Sequence, residues 1–316
     1  MLCGSFIFFL IVPWLALGAF GSTYITELLV QAMIFGIVAL SLALLLDYLG
    51  LPSLGHAAYM GIGAYTVAIC IDKFHMVAFP ASIMAIVISS LAAALFGLFA
   101  LRTRGVYFLM ITLALAMLVW GLAYRWVSLT SGDNGISGIL RPQLGPWSLD
   151  DINSYYYIVL VIFCLCFFVI YRIVHSPFGH ALVGIRESES RMRTLGYNCW
   201  LHKYICFVIA GFFSGVAGVL FIFYNLFVSP ATLEIAPNLE ALLAVSMGGA
   251  GTVAGPFLGT IVIVFLKDFV SIYTERWLII LGAMYIIIVL YAPNGLMEVY
   301  RVGKKFFTVK FLSKNH

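Results

Sequence analysis

The sequence predicts an all-α, polytopic transmembrane helix bundle, and three observations predict it. Of 316 residues, 63% are hydrophobic and 9% are charged, against roughly 45–50% and about 25% in soluble domains. The 30 charged residues are bunched, leaving nine windows without Asp, Glu, Lys or Arg: 1–26, 28–46, 48–71, 74–101, 105–124, 152–171, 204–233, 241–266 and 277–297. These windows are continuously apolar, whereas a transmembrane β-barrel alternates over ~10 residues. A helix crosses the hydrocarbon core with about 20 apolar residues, and only helices satisfy the backbone there without closing a barrel. So few charges cannot cover a water-exposed surface. Disorder, a disulfide scaffold and an ordinary cytosolic enzyme are excluded on the same grounds.

Ten membrane segments are expected within a single transmembrane domain covering 1–316: 5–21, 27–48, 56–72, 79–101, 105–127, 154–174, 203–224, 238–249, 253–268 and 276–292. Segment 5–21 has no charge before Glu27. It lacks the basic start of a signal peptide and is read as a retained helix. Between 27–48 and 56–72 the chain reads Leu51-Pro52-Ser53-Leu54-Gly55-His56, a helix breaker leading into a stretch with Tyr59, Gly61 and Gly63. The outer loop 128–153 is rich in Gly, Pro, Asn and Asp, a turn composition that serves either as connection or for docking. The window 241–266 is divided by Gly248-Gly249-Ala250-Gly251-Thr252-Val253-Ala254-Gly255-Pro256, which separates 238–249 from 253–268.

Lys and Arg orient the chain. With both termini in the cytoplasm, twelve fall on the inner side (Arg102, Arg104, Arg172, Arg186, Arg191, Arg193, Lys203, Arg301, Lys304, Lys305, Lys310, Lys314) and five on the outer (Lys73, Arg125, Arg141, Lys267, Arg276). This is the positive-inside bias. It accounts for the net charge of +4 without nucleic acid.

The inner segment, about 175–202, is the most polar part of the chain. Ser176-Pro177 starts a helix, with Pro where its missing N–H costs nothing. Ala181, Leu182, Ile185, Met192 and Leu195 alternate with Arg186, Glu187, Glu189, Arg191 and Arg193, giving one short amphipathic helix that ends near Gly196. Such a helix lies on lipid headgroups or meets a partner. Its mixed charges favour a protein partner over an anionic bilayer, which prefers a purely basic face.

Interrupted helices expose backbone groups and often mark a substrate pathway. Pro52, Ser53, Gly55, His56 and Tyr59, with Gly248, Gly249 and Gly251 in the other half, are the pathway candidates. For Gly211/Gly215 and Gly251/Gly255/Gly259 the spacing favours close helix packing. For His56 a cap or packing role is favoured over proton transfer. Asp47, Arg125, Glu240 and Lys267 fall near segment ends, so no ion or proton relay is legible at span centres. The six cysteines show no metal-ligand spacing and read as small apolar packing residues. No phosphate loop or nucleotide fingerprint is present, and no acid–base constellation points to an enzyme. A transporter without its own engine borrows energy from a separate ATPase.

Several stretches carry a resemblance. They are LGHAAYMGIGAY (54–65), RTRGVYFLMITLALA (102–116), SLTSGDNGISGI (128–139), SPFGHALVGIRESESRMRTLGYN (176–198), KYICFVIAGFFSGVAGVL (203–220) and SPATLEIAPNLEALLAVSMGGAGTVAGPFLGT (229–260). The sequence resembles the permease subunits of ABC importers for branched-chain amino acids, M-type, a family whose relatives carry urea and short-chain amides. The resemblance implies a bacterial inner-membrane protein paired with a second, homologous permease. It also implies two cytoplasmic ATP-binding subunits that hold the ATP and Mg, and a periplasmic substrate-binding protein. No cofactor is expected in this chain itself. The family's coupling helix corresponds to about 178–195, which implies an ATPase-coupling role for Gly184, Arg186, Glu187, Glu189, Arg191 and Leu195. One departure is Ala116-Met117, apolar where many members carry Glu or Gln. Branched-chain or other apolar amino acids are the expected substrates; the alternatives are urea or short amides, or an ion-coupled secondary transporter.

Overall fold

The computed structural model describes residues 23–142, 151–249, 251–274 and 276–291. Among the described residues the regular structure is helical apart from one two-residue β pairing. Helix α1 (Tyr24–Ala43) continues into a π turn at Leu44–Tyr48. It is followed by α2 (His56–Asp72), α3 (Ala78–Ala100), α4 (Val106–Arg125), the single turn α5 (Val127–Thr130) and strand β1 (Ile136–Ser137). Then come α6 (Ile152–Val174), α7 (Pro177–Glu187), α8 (Glu189–Thr194), α9 (Cys199–Asn225), β2 (Phe227–Val228), α10 (Ile235–Gly248), α11 (Gly255–Ser271) and α12 (Trp277–Tyr291).

Five of the described helical stretches are long and apolar enough to cross a membrane: Tyr24–Tyr48, α3, α4, α6 and α9. The protein is therefore a multi-pass, all-α membrane protein. Helices α2, α10, α11 and α12 have 17, 14, 17 and 15 residues, short for a full crossing at 1.5 Å per residue. The expected segment 5–21 lies outside the described residues.

Helix α1 forms the centre. Nearly all of it is buried, against α6, α9, α10 and α11. Helix α3 is peripheral, and its sequence shows why. Ala81, Ala85, Ser89, Ala93 and Gly97 recur every fourth residue and are its buried face, while Phe79, Ile83, Val87, Leu91, Leu95 and Phe99 point outward. In lipid, large apolar residues gain nothing by facing inward, so contacts are made by small residues that let backbones approach. Helix α9 answers with Gly211 against Ala93 and Gly215 against Ser89. A Cβ at Gly63 of α2 would lie 2.8 Å from the Gly215 carbonyl oxygen. The same device joins α10 to α11, where Gly259 abuts the Ala244 carbonyl. The packing expected of Gly211, Gly215, Gly255 and Gly259 is what the structure shows, whereas Gly251, with nothing within 4 Å of its Cβ position and φ +82°, serves the turn between the helices rather than their packing.

The charged segment differs from its expectation. The one amphipathic helix is two, α7 and α8, separated at Ser188. That residue is extended (φ −160°, ψ 99°), and its hydroxyl accepts the Arg191 N–H, capping α8. Gly196, at φ +88°, does end α8. Its N–H donates to the Arg193 carbonyl and the Tyr197 N–H to that of Met192, a paired closure that favours glycine. Ala181, Leu182 and Ile185 are buried, but Leu195, counted with the apolar face, is 72% exposed.

The described part of loop 128–153 is pinned to the bundle. Ile136 pairs with Val228 and Ser137 with Phe227. The Lys73 ammonium donates to the Ser128 carbonyl. Arg141 donates to the Phe223 carbonyl at 3.0 Å and stacks over Tyr155.

Candidate functional site

The break between α1 and α2 is buried. Leu51, Ser53, Leu54, Gly55 and His56 are all enclosed, so its amides need partners from within the fold. Three side chains supply them. Thr112 of α4 accepts the Leu54 N–H at 3.1 Å, Ser53 accepts the Gly55 N–H at 3.2 Å, and Asn238 of α10 accepts the Ala57 N–H at 2.9 Å. The start of α2 is thus held by two other helices as well as its own loop. His56 is 1% exposed, and neither ring nitrogen has a hydrogen-bond partner. Its ring meets that of Tyr59 edge-on at 6.0 Å. Tyr59 turns away from the break, with its ring between Phe96 and Phe207 and its carbonyl accepting from Ser89 at 2.9 Å. Nearby in α1 and α9, the hydroxyls of Ser41 and Ser214 are 2.9 Å apart.

The second break lies between α10 and α11. Gly249 ends α10 at φ +102°, and Gly248 is pressed against the Gly255 carbonyl. The Thr252 hydroxyl accepts the Gly255 N–H, the first of the new helix, at 3.2 Å. Gly251 turns toward the π turn of α1, and its backbone N–H faces the Asp47 carboxylate.

The charged segment divides its residues between two directions. Gly184 packs on the Met192 thioether. Arg186 reaches inward and donates to the Asp47 carbonyl. Glu189 is the centre of an ion network: Arg193 at 2.6 Å, Lys203 at 2.8 Å and Arg104 at 3.5 Å. Partial burial works against its charged form, but Lys203, Arg193 and Arg104 outweigh this and hold the carboxyl below its ordinary value. Glu187, Arg191 and Leu195 are exposed. The expected coupling residues therefore split into two engaged within the chain, Glu189 and the still exposed Arg186, and an outward set, Glu187, Arg191 and Leu195.

The pathway candidates do not form one cluster. Ser53, Gly55 and His56 gather with Thr112 and Asn238, while Gly251 joins Asp47 and Arg186. Sequence reasoning missed Asn238, Thr112 and the Asp47 junction. Asn238 did carry a signal, as an amide immediately after Pro237 at the start of an apolar helix. A further pair joins α10 to α11, where the buried Glu240 meets the partly exposed Lys267 at 2.9 Å and Lys267 also lies over the Trp277 ring.

Long apolar helices joined by small residues, two interrupted helices and a projecting charged segment define a multi-pass helical transport protein. The comparisons place it more narrowly. The sequence profile of the family described as branched-chain amino acid transport system / permease component matches residues 24–289, and the chain belongs to that family. It is similar to the high-affinity branched-chain amino acid transport system permease protein LivM of Salmonella typhimurium, 28% identical over 298 residues, 87% of this chain and 70% of that protein. The corresponding Escherichia coli protein is 29% identical over 292 residues, 85% of this chain and 69% of its own. A probable branched-chain amino acid transport permease protein LivM of Methanocaldococcus jannaschii is 23% identical, over 86% of this chain and 93% of its own. No solved structure matches the chain significantly.

Proposed function

We propose that this chain is one of two membrane subunits of an ATP-driven importer for branched-chain or other apolar amino acids, set in a bacterial inner membrane. Ten segments with both termini inside fit the distribution of Lys and Arg. The relatives' printed names support the substrate class. The observation that carries the coupling role is the division of the charged segment. Glu189 is spent on the chain's own cations, whereas Glu187, Arg191 and Leu195 face outward. A charged and apolar patch of this kind suits a groove on an ATP-binding subunit, which would hold the ATP and Mg. Substrate would arrive from a periplasmic binding protein and pass along a second, homologous permease, beside the break at Pro52–His56. The chain forms no covalent bond with substrate.

Uptake of labelled leucine by the whole complex, with urea and acetamide as competitors, tests the substrate. Leucine uptake that neither competitor reduces is expected. Competition by urea or acetamide with no effect of isoleucine or valine would overturn the amino-acid reading.

A further inference from the structure

The Asp47 junction joins three elements that the sequence places far apart. We propose that it is the mechanical joint through which displacement of the α7–α8 segment reaches both helix breaks, with Arg186 and Asp47 as positioning residues. The proposal rests on the reading of this chain as an importer subunit and goes beyond it by naming the transmission point.

Four observations converge on it. The Arg186 guanidinium donates to the backbone carbonyl of Asp47, inside the π turn that ends α1. The stem of the same arginine crosses Gly50, where a Cβ would lie 2.7 Å from its Cγ and where φ is +74°. Only glycine leaves room for that crossing without strain. Asp47 is 5% exposed, and its Oδ2 has no hydrogen-bond partner. Its carboxylate faces the Gly251 N–H of the second break and the charge of Arg186. The first break starts two residues past the π turn, and the Leu51 N–H donates back to the Leu45 carbonyl at 2.8 Å. One arginine thus grips the loop into the first break, while the residue it holds faces the second.

The joint is built to move. A π turn holds one extra residue within an α-helix, and such turns are found at functional sites. Its return to α geometry would turn the following residues relative to α1. A buried carboxylate that faces an amide and a guanidinium has two alternative partners, as a two-position element requires.

The test uses the assembled importer in proteoliposomes and measures ATP consumed per substrate imported. Arg186→Gln and Asp47→Asn should each raise that ratio about tenfold while the ATP-binding subunits still co-purify. The double variant should be no worse than either single one, as expected of partners in one interaction. Effects that multiply in the double variant would overturn the joint, as would loss of the ATP-binding subunits from Arg186→Gln. A second readout needs no transport. Amide hydrogen exchange of the purified full chain should rise at 45–55 and at 251–254 in Arg186→Gln, and unchanged exchange at both would overturn the proposal. A wild-type complex that shows no ATP-dependent uptake would sink the importer reading alone, leaving the exchange result to judge the joint.

Discussion

Asn238 shows how much a single side chain can organise in a membrane interior. Its Oδ1 takes the Ala57 N–H of another helix, and its Nδ2 donates to the Glu234 carbonyl at 3.3 Å. Asn238→Leu leaves a buried amide unpaired, a loss of about 1–3 kcal/mol, and should lower the melting temperature of the detergent-solubilised protein. Glu240 sets a harder test. Lys267→Met strands a buried carboxylate, which costs about 3–5 kcal/mol when a partner is removed, so folded yield should collapse. Adding Glu240→Leu should restore most of it. If the single variant accumulates normally, the pair is not structural. Glu189 gives a pH dependence. Its carboxyl is held below the ordinary value of 4.5, so the unfolded chain takes up its proton first as pH falls. The stability it contributes is fully present above 4.5 and is lost as pH drops through the lowered folded value. The melting difference between wild type and Glu189→Gln should therefore be constant at neutral pH and vanish in strong acid. These partners were not legible in the sequence, because Arg104, Lys203 and Glu189 are separated in the chain and meet only once α8 packs on α9 beside the turn between α3 and α4.

Most elements were legible because apolar runs between charges have few alternatives in lipid. The division of 241–266 into two helices followed from its glycines and Pro256, and the structure places α10 and α11 on either side of them. The break at Ser188 was hidden by an uninterrupted helical pattern of apolar residues. The signal was present in Ser188-Glu189, a hydroxyl cap followed by an acid in the first turn. It was outweighed by the periodicity. The small-residue contacts make a sharp prediction at this scale. A Cβ at Gly259 runs into the Ala244 carbonyl, so α10 and α11 must separate to admit one. Gly259→Val should cost at least about 1–3 kcal/mol through overpacking and reduce the folded fraction recovered on size exclusion. Gly121 of α4, helical and with nothing near its Cβ position, makes no such contact, and valine there should introduce no clash.

At the scale of the whole molecule, the asymmetry of charge and the lack of an energy-coupling motif were visible from composition and spacing. Which charged residues face outward was not, since that depends on where α7 folds back onto the π turn of α1 and α8 onto α9. The outward set predicts that Glu187→Arg and Arg191→Glu each abolish coupled uptake while the protein still reaches the membrane. Normal uptake by both would remove the partner-facing role of the segment. The most direct test of the central claim is substrate accumulation in vesicles, with the two permeases alone on an imposed ion gradient compared with the complete complex supplied with ATP. Uphill uptake by the complex only, and only with ATP, is the predicted result. Uphill uptake by the permeases alone would contradict it.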